Sequence, residues 1–368
     1  MPKKLRVGIL GATGMVGQRF IELLADHPWF EVVLVAASAR NKGKTYQEAV
    51  DGRWKMDTEI PAAVTQMELY AVEDVDEIAS QVDFVFCAVN MPKDEIKAIE
   101  EAYAKAETPV VSNNSAHRWT PDVPMVVPEI NPDHYDVIKY QRERLGTKHG
   151  FIAVKPNCSI QSYTPALTAW RQFEPTEVVV STYQAISGAG KNFAEWPEMV
   201  GNIIPYIGGE EAKSEKEPLQ VWGHVDDDQK VIVNATDVKI TSQCIRVPVL
   251  YGHTASVFVN FKQHPTKEQL IQALEDYAGY PQAVGLPSAP KQFIQYLTDD
   301  DRPQVQQDVN FEHGMGISIG RLREDSIFDW KFVGLSHNTL RGAAGGGVLS
   351  AEALYEKGYL KAKADLDL

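Results

Sequence analysis

The chain has 368 residues, more than one ordinary hydrophobic core organises, so two domains are expected. It is 44% hydrophobic and 23% charged, which excludes a disordered or fibrous chain. Its net charge of −14 argues against a nucleic-acid or anionic-membrane partner, while a local basic pocket for an anion stays open.

Cys87, Cys158 and Cys244 are too few and too scattered for a disulfide framework or a zinc site, so no metal is expected. No apolar run is long enough to span a bilayer, and residues 1–6 lead into a strand without a signal-peptide core. A reduced, cytoplasmic setting fits.

Residues 5–10 read as a short apolar strand, and 18–26 as a helix with Phe20, Leu23 and Leu24 on its apolar side. Between them Gly11, Gly14 and Gly17 space a strand-to-helix turn. Glycines there permit a tight turn, close approach of backbone to a diphosphate, and close helix–strand packing. A glycine-rich turn without a ligand is the plain alternative. After a second strand at 31–37, no acidic residue stands where an NAD enzyme binds the ribose hydroxyls. Ser38, Arg40, Lys42 and Lys44 stand there instead and suit a 2′-phosphate, so NADP is preferred over NAD. A solvated basic loop would look the same.

Strands follow at 82–89 and 108–112, with a helix at 94–105 between them. The loop 112–119 (SNNSAHRW) opens past a parallel strand's C-terminal end, where ligands bind in such sheets. Arg118 suits phosphate or carboxylate, or a simple ion pair; His117 reads as a loop residue. The proline-rich stretch 121–132 reads as the bridge out of the first domain.

Cys158 lies in KPNCSIQ, between an apolar run at 151–154 and a helix expected at 162–173. Free N–H groups at such a junction favour thiolate over thiol and can hold an oxyanion. A buried structural cysteine is an equally fair reading. A strand at 177–185 then carries Gln184 into Ser187-Gly188-Ala189-Gly190, where backbone can approach a ligand. Glu210 and Lys213 share one helical face, either as a solvated pair or as partners for an ammonium and an anion. The stretch 244–259 is strand-like and holds Arg246 and His253. In a straight strand they face opposite ways, and Pro248 and Gly252 offer a bend. A histidine near Cys158 would serve as base and then acid. Strands at 315–322 and 330–335 and a helix at 348–357 complete the chain, with Asn338 placed to bond a nicotinamide amide.

Together GATGMVGQRF, SNNSAHRW, KPNCS, QAISGAGK, IIPYIGGEEAK, RVPVLYGH and HNTLRGAAGGG, in this order, resemble the aspartate-β-semialdehyde dehydrogenases, in their archaeal and fungal-like branch. The resemblance implies an α/β fold with a Rossmann-type NADP-binding domain (1–155 plus 340–368). It implies an α+β catalytic and dimerisation domain (156–339), with the C-terminal helix returning to the first domain. It implies Cys158 as nucleophile, His253 as acid and base, and Gln184 as orienting group. Arg246 and Glu210 would hold the α-carboxylate and amino group of the substrate, and Arg118 and Lys213 its phosphate, with Asn157 and Asn114 lining the site. NADP(H) would meet Gly11, Thr13, Gly14, Met15, Val16, Ser38, Arg40, Ser187, Gly188 and Asn338. The implied reaction is NADPH-dependent reduction of L-aspartyl-4-phosphate, releasing phosphate, by a homodimer or homotetramer that feeds lysine, threonine and methionine synthesis. The chain departs from the pattern at Tyr251 and Ala255, beside His253. A CoA-thioester reductase, an acylglutamyl-phosphate reductase and an inactive NADP-binding relative are the competing readings.

Overall fold

The computed structural model describes residues 4–367. Its first sheet is built from β1 (Leu5–Leu10), β2 (Phe30–Ala37), β3 (Leu69–Ala71), β4 (Phe84–Cys87), β5 (Val110–Ser112) and β6 (Ile152–Val154). All are parallel, in the order β3-β2-β1-β4-β5-β6. The order reverses beside β1, which opens a crevice at the carboxyl ends of β1 and β4. Both strands are almost wholly buried, as strands covered on both faces must be. Gly11 ends β1 at φ +84, and a Cβ there would lie 2.4 Å from the Ala88 carbonyl oxygen. A Cβ at Gly17 would lie 2.2 Å from the Gly11 carbonyl oxygen, so the helix Met15–Leu24 reaches the strand only because that residue is glycine.

The second sheet joins β7 (Pro175–Gln184), β10 (Lys239–Arg246), β11 (His253–Phe261), β12 (Ile294–Leu297), β13 (Ile317–Glu324) and β14 (Trp330–Ser336), in the order β10-β7-β11-β14-β13-β12. A small hairpin of β8 (His224–Asp226) and β9 (Val231–Val233) stands apart. Burial alternates strictly along β11. One face, with Val178, Val180, Val257 and Phe332, meets Trp170, Leu270 and Leu274, while the other remains partly open.

Three expectations change. The stretch 121–132 does not leave the first domain: Val126 N–H bonds to Val154 O at 3.1 Å, and the chain returns through β6 to the same sheet. Its apolar Met125, Val126 and Val127 are buried there. The helix expected at 162–173 breaks into a 3-10 turn (Ser159–Ser162), a helix (Thr164–Ala169) with Pro165 in its first turn, and a second 3-10 turn (Arg171–Phe173). The strand-like stretch 244–259 is two strands, not one bent strand.

The C-terminal helix Ala344–Glu356 packs among the residues of the first sheet and its helices. Its glycines explain the small-residue run. A Cβ at Gly347 would lie 2.8 Å from Phe20 and one at Gly345 2.6 Å from Met315. Buried charges fix the approach. Arg341 forks onto Glu129 at 2.9 and 2.7 Å and donates to Met315 O. Glu352 accepts from Ser288 N–H at 3.0 Å and lies 2.8 Å from His27 Nε2. Removing one member of a buried pair strands the other. Glu129→Ala should therefore lower the unfolding free energy by about 3–5 kcal/mol. A urea midpoint equal to that of the wild type would contradict this.

Candidate active site

The second sheet brings the reactive side chains together at one strand end. β10 runs parallel to β7 and β11 antiparallel to it, on its other side. Residues 247–252 cross over the end of β7, so Arg246, Gln184 and His253 converge there. Val247 N–H bonds to Gln184 O and Ile186 N–H to Val249 O, which pins the crossing. Gly252 turns it into β11 at φ +94.

Cys158 lies opposite, four residues past β6, and opens on a cleft of about 310 Å³. Its Sγ is 3.3 Å from His253 Nε2. His253 is fully buried, and its Nδ1 accepts from Ala185 N–H at 3.0 Å. Burial first, then the Arg246 charge, pull its pKa down to about 3. The ring is neutral at ordinary pH, so its one proton sits on Nε2 and faces the sulfur. That geometry makes His253 a donor to the sulfur and corrects the expectation of a base waiting to accept the thiol proton. The expected pull of a helix terminus on Cys158 is also outweighed. Only a four-residue 3-10 turn follows it, and burial and Glu210 raise the thiol pKa against the opposing charges of Lys155, Arg118 and Arg246.

The polar walls are pre-arranged. Asn157 donates its amide to both oxygens of Glu210 (3.1 and 2.9 Å), and its Oδ1 accepts from Ser159 N–H at 2.8 Å. Lys213 Nζ meets Glu210 at 2.5 Å, and Gln184 Nε2 lies 3.5 Å from the same carboxylate. Burial alone would raise the Glu210 pKa, but Lys213 and Asn157 hold it below its ordinary value. Arg246 donates to Ala185 O at 2.6 Å, its one hydrogen bond through the guanidinium among the described residues, leaving most of its fork for a ligand. A Cβ at Gly188 would sit 3.0 Å from that guanidinium, so a bare backbone closes this wall. Arg118 donates to Lys155 O, Asn113 O and Glu217, with two of its five N–H groups left over. Asn338 is largely committed: Oδ1 accepts from Gly252 N–H and Nδ2 donates to Ser187 Oγ, both at 2.8 Å. One amide N–H remains for a ligand. Val16 and Asn114 also line this cleft.

A second cleft of about 240 Å³ lies at the end of β1, lined by Gly11, Thr13, Gly14, Ser38 and Arg40. The helix Met15–Leu24 starts there without a side-chain cap, which leaves its first N–H groups for an anion. Lys42 pairs with Asp74 at 2.8 Å and Lys44 reaches Asn41, so Arg40 is the cation of this loop that lines the cleft. Met15 is buried and lines neither cleft. The glycine cradle, the uncapped helix and Arg40 fit a dinucleotide with a 2′-phosphate.

Residues 6–138 match the family described as semialdehyde dehydrogenase, NAD binding domain, and residues 166–341 match its dimerisation domain. The aspartate-semialdehyde dehydrogenase of Schizosaccharomyces pombe is 44% identical over 361 residues, covering 96% of this chain and 99% of the relative. That of Methanothermobacter thermautotrophicus is 40% identical over 355 residues, with the same coverage. The Candida albicans enzyme solved with NADP superposes with a TM-score of 0.86 at 37% identity, covering 97% of this chain and all of the other. The chain belongs to the aspartate-semialdehyde dehydrogenase family.

Sequence reasoning missed two buried charges of this family member's site. Glu217 accepts from Arg118 at 3.0 Å and from Asn157 N–H at 2.5 Å. Its signal was available: Glu210, Lys213, Ser214 and Glu217 fall at helical spacing on one face. Lys155, inside the quoted motif, had no assigned role. His117 is a structural histidine, held by Thr120 Oγ1 and Lys97 O. His337 is buried and stacked on Tyr251, with its pKa lowered to about 3 by burial and by Arg19.

The folded pKa of His253 lies below the unfolded value of about 6.5. Its contribution to stability is therefore full above that value and declines as pH falls from there towards 3. Between pH 5 and 8, nitrogen NMR should show His253 protonated at Nε2 only and not titrating. A midpoint near 6.5 would overturn the assignment.

Proposed function

We propose that the protein reduces L-aspartyl-4-phosphate to L-aspartate 4-semialdehyde and phosphate with NADPH, through a thioester on Cys158. The observation that carries this reading is the Cys158–His253 contact at 3.3 Å in a cleft ringed by Arg246, Arg118, Lys213 and Glu210. The Vibrio cholerae relative solved with ASA, at 25% identity and a TM-score of 0.73, supports the substrate. The NADP of the C. albicans structure supports the cofactor.

Arg246 takes the α-carboxylate through its free fork, and Glu210 takes the ammonium. Arg118 and Lys213 meet the phosphate. Cys158 attacks the acyl carbon as thiolate: the S–C bond forms and the C–O bond to phosphate breaks. Bound with its nicotinamide in this cleft, NADPH would supply the hydride that reduces the thioester. Collapse of the thiohemiacetal returns Cys158 as a thiolate, an anion that the Nε2–H of His253 faces. Gln184 orients the acyl group. Gly11, Thr13 and Gly14 carry the diphosphate side of the cofactor, with the backbone N–H groups of Met15 and Val16 at the uncapped helix start, Ser38 and Arg40 its 2′-phosphate, and Ser187, Gly188 and Asn338 its nicotinamide end. The same reading divides the chain into 1–155 with 340–368 for NADP and 156–339 for catalysis. It assigns the product to lysine, threonine and methionine synthesis in the cytoplasm. No helix is long and apolar enough to cross a membrane among the described residues.

Purified protein should reduce NADP⁺ with L-aspartate semialdehyde only when phosphate is present, and should leave malonyl-CoA untouched. Cys158→Ser should abolish turnover while NADPH still binds. Arg40→Ala should erode the preference for NADP⁺ over NAD⁺. Activity on the CoA ester alone would move the chain to the thioester reductases.

The oligomer proposed is a homodimer, or a tetramer built from it, closed over the open face of the second sheet. Val179, Tyr183, Thr254, Ser256 and Phe258 line that face, and Tyr183 is 37% exposed. The dimerisation-domain match supports this. Sedimentation should give a dimer or tetramer, and Tyr183→Asp combined with Phe258→Asp should shift it to monomer. A wild-type monomer at micromolar concentration would sink the idea.

A further inference from the structure

One buried charge beside the nucleophile has no part in the reaction so far. Lys155 follows β6 directly and is 3% exposed. Its side chain runs inward beneath the glycine-rich start of the C-terminal helix. At Gly346 a Cβ would lie 2.8 Å from Lys155 Cε, so the missing side chain there makes the room. Lys155 Nζ donates to Pro156 O at 2.9 Å, its one side-chain hydrogen bond among the described residues. No carboxylate among those residues stands within ion-pair distance of it.

An ammonium in such a place costs several kcal/mol unless an anion compensates it. Glu217, the nearby carboxylate, is already spent on Arg118 and on the Asn157 N–H. Arg118 and Arg341 add positive charge on the same side. The remaining candidate for an anion is the sulfur of Cys158, two residues beyond the carbonyl that Lys155 holds. Cys158 has the complementary need. Glu210 opposes its ionisation, Arg118 and Arg246 favour it, and His253 is a neutral donor with no charge to give.

We propose that Lys155 is a positioning residue for Cys158, whose buried ammonium is the counter-charge that favours the nucleophile's thiolate over its thiol. The pair has two low-energy states: thiol with neutral amine, and thiolate with ammonium. Passing from the first to the second breaks one S–H bond and forms one N–H bond, with no net gain or loss of a proton. Burial lowers the Lys155 pKa to about 7 against the pull of Cys158, and burial raises that of the thiol against the pull of Lys155, so each group favours the charged form of the other and the two titrate as a linked pair. The inference rests on Cys158 as nucleophile, but its test reads the thiol directly and stands apart from substrate identity.

The test is the pH dependence of Cys158 alkylation by iodoacetamide in the full-length protein. Peptide mass spectrometry assigns the site, and buried Cys87 and Cys244 serve as internal controls. In Lys155→Met the alkylation midpoint should rise by at least about one pH unit, which is about tenfold slower reaction at neutral pH. The thermal midpoint should hold or rise, since a buried charge has gone. The acid limb of the kcat/KM profile should move with the alkylation midpoint. Lys155→Gln, which keeps a donor for Pro156 O without the charge, should behave as the Met variant does and covers the case in which the Met variant fails to fold. Lys155→Arg should hold the wild-type midpoint. A folded Lys155→Met or Lys155→Gln protein whose alkylation profile overlays the wild type would overturn the proposal.

Discussion

A single residue's peptide groups hold both the imidazole and the open guanidinium of this site. Ala185, just past the end of β7, gives its N–H to His253 Nδ1 and its carbonyl to Arg246. The N–H decides which ring nitrogen carries the proton, and the carbonyl decides where the guanidinium lies. Both bonds exist because β10 and β11 flank β7 on opposite sides and the chain crosses over its end between them. Everything else in the cleft is arranged around that strand end. Cys158 is brought to Nε2, Gly188 leaves space over both side chains, and Asn338 closes the far wall through Gly252 and Ser187. Backbone groups make good locators, because a sheet fixes them more firmly than a side chain fixes itself.

This also explains what could be read from the sequence. The glycine turn, the continuous apolar strands and the cysteine between strand and turn were legible, since each depends on local residue type. β3 was not; at three residues it offers too little pattern to separate from its surroundings. The crossing at 247–252 was misread as a bend, because nothing local distinguishes a strand that bends from one that passes over a neighbour. The role of Ala185 was invisible for a stronger reason: any residue has an N–H and a carbonyl, so no residue type announces it. Glu217 was hidden by habit. A charged residue on a helix is usually solvated, and only the closing of that helix against Asn157 buries this one.

The departures beside His253 become intelligible in the same terms. Ala255 lies on the inner face of β11, fully buried and opposite Thr182 and Gly334. A carboxylate there would need a partner that this packed layer lacks. Nor is one needed to orient the imidazole, since Ala185 N–H already occupies Nδ1. A carboxylate at Nδ1 would favour a charged ring, whereas an N–H favours a neutral one. Tyr251 sits outside this arrangement and stacks on His337 at 5.3 Å, so its part is packing.

Two of the charged pairs in the walls are already made before any ligand arrives. Glu210 is paired with Lys213, and Arg118 with Glu217. A ligand of one sign that broke either pair would strand the displaced partner in a buried place. For a molecule carrying both an ammonium and a phosphate, as in the proposed reaction, the exchange would be matched: Glu210 would trade one ammonium for another, and the freed Lys213 would meet the phosphate. Arg118 need not let go of Glu217, because two of its N–H groups are uncommitted. A simple amine at Glu210, or a simple phosphate that drew Lys213 away, would leave one buried charge unanswered. In the proposed reaction, selectivity for a zwitterionic acyl phosphate would follow from the resting Glu210–Lys213 pair as much as from the shape of the cleft.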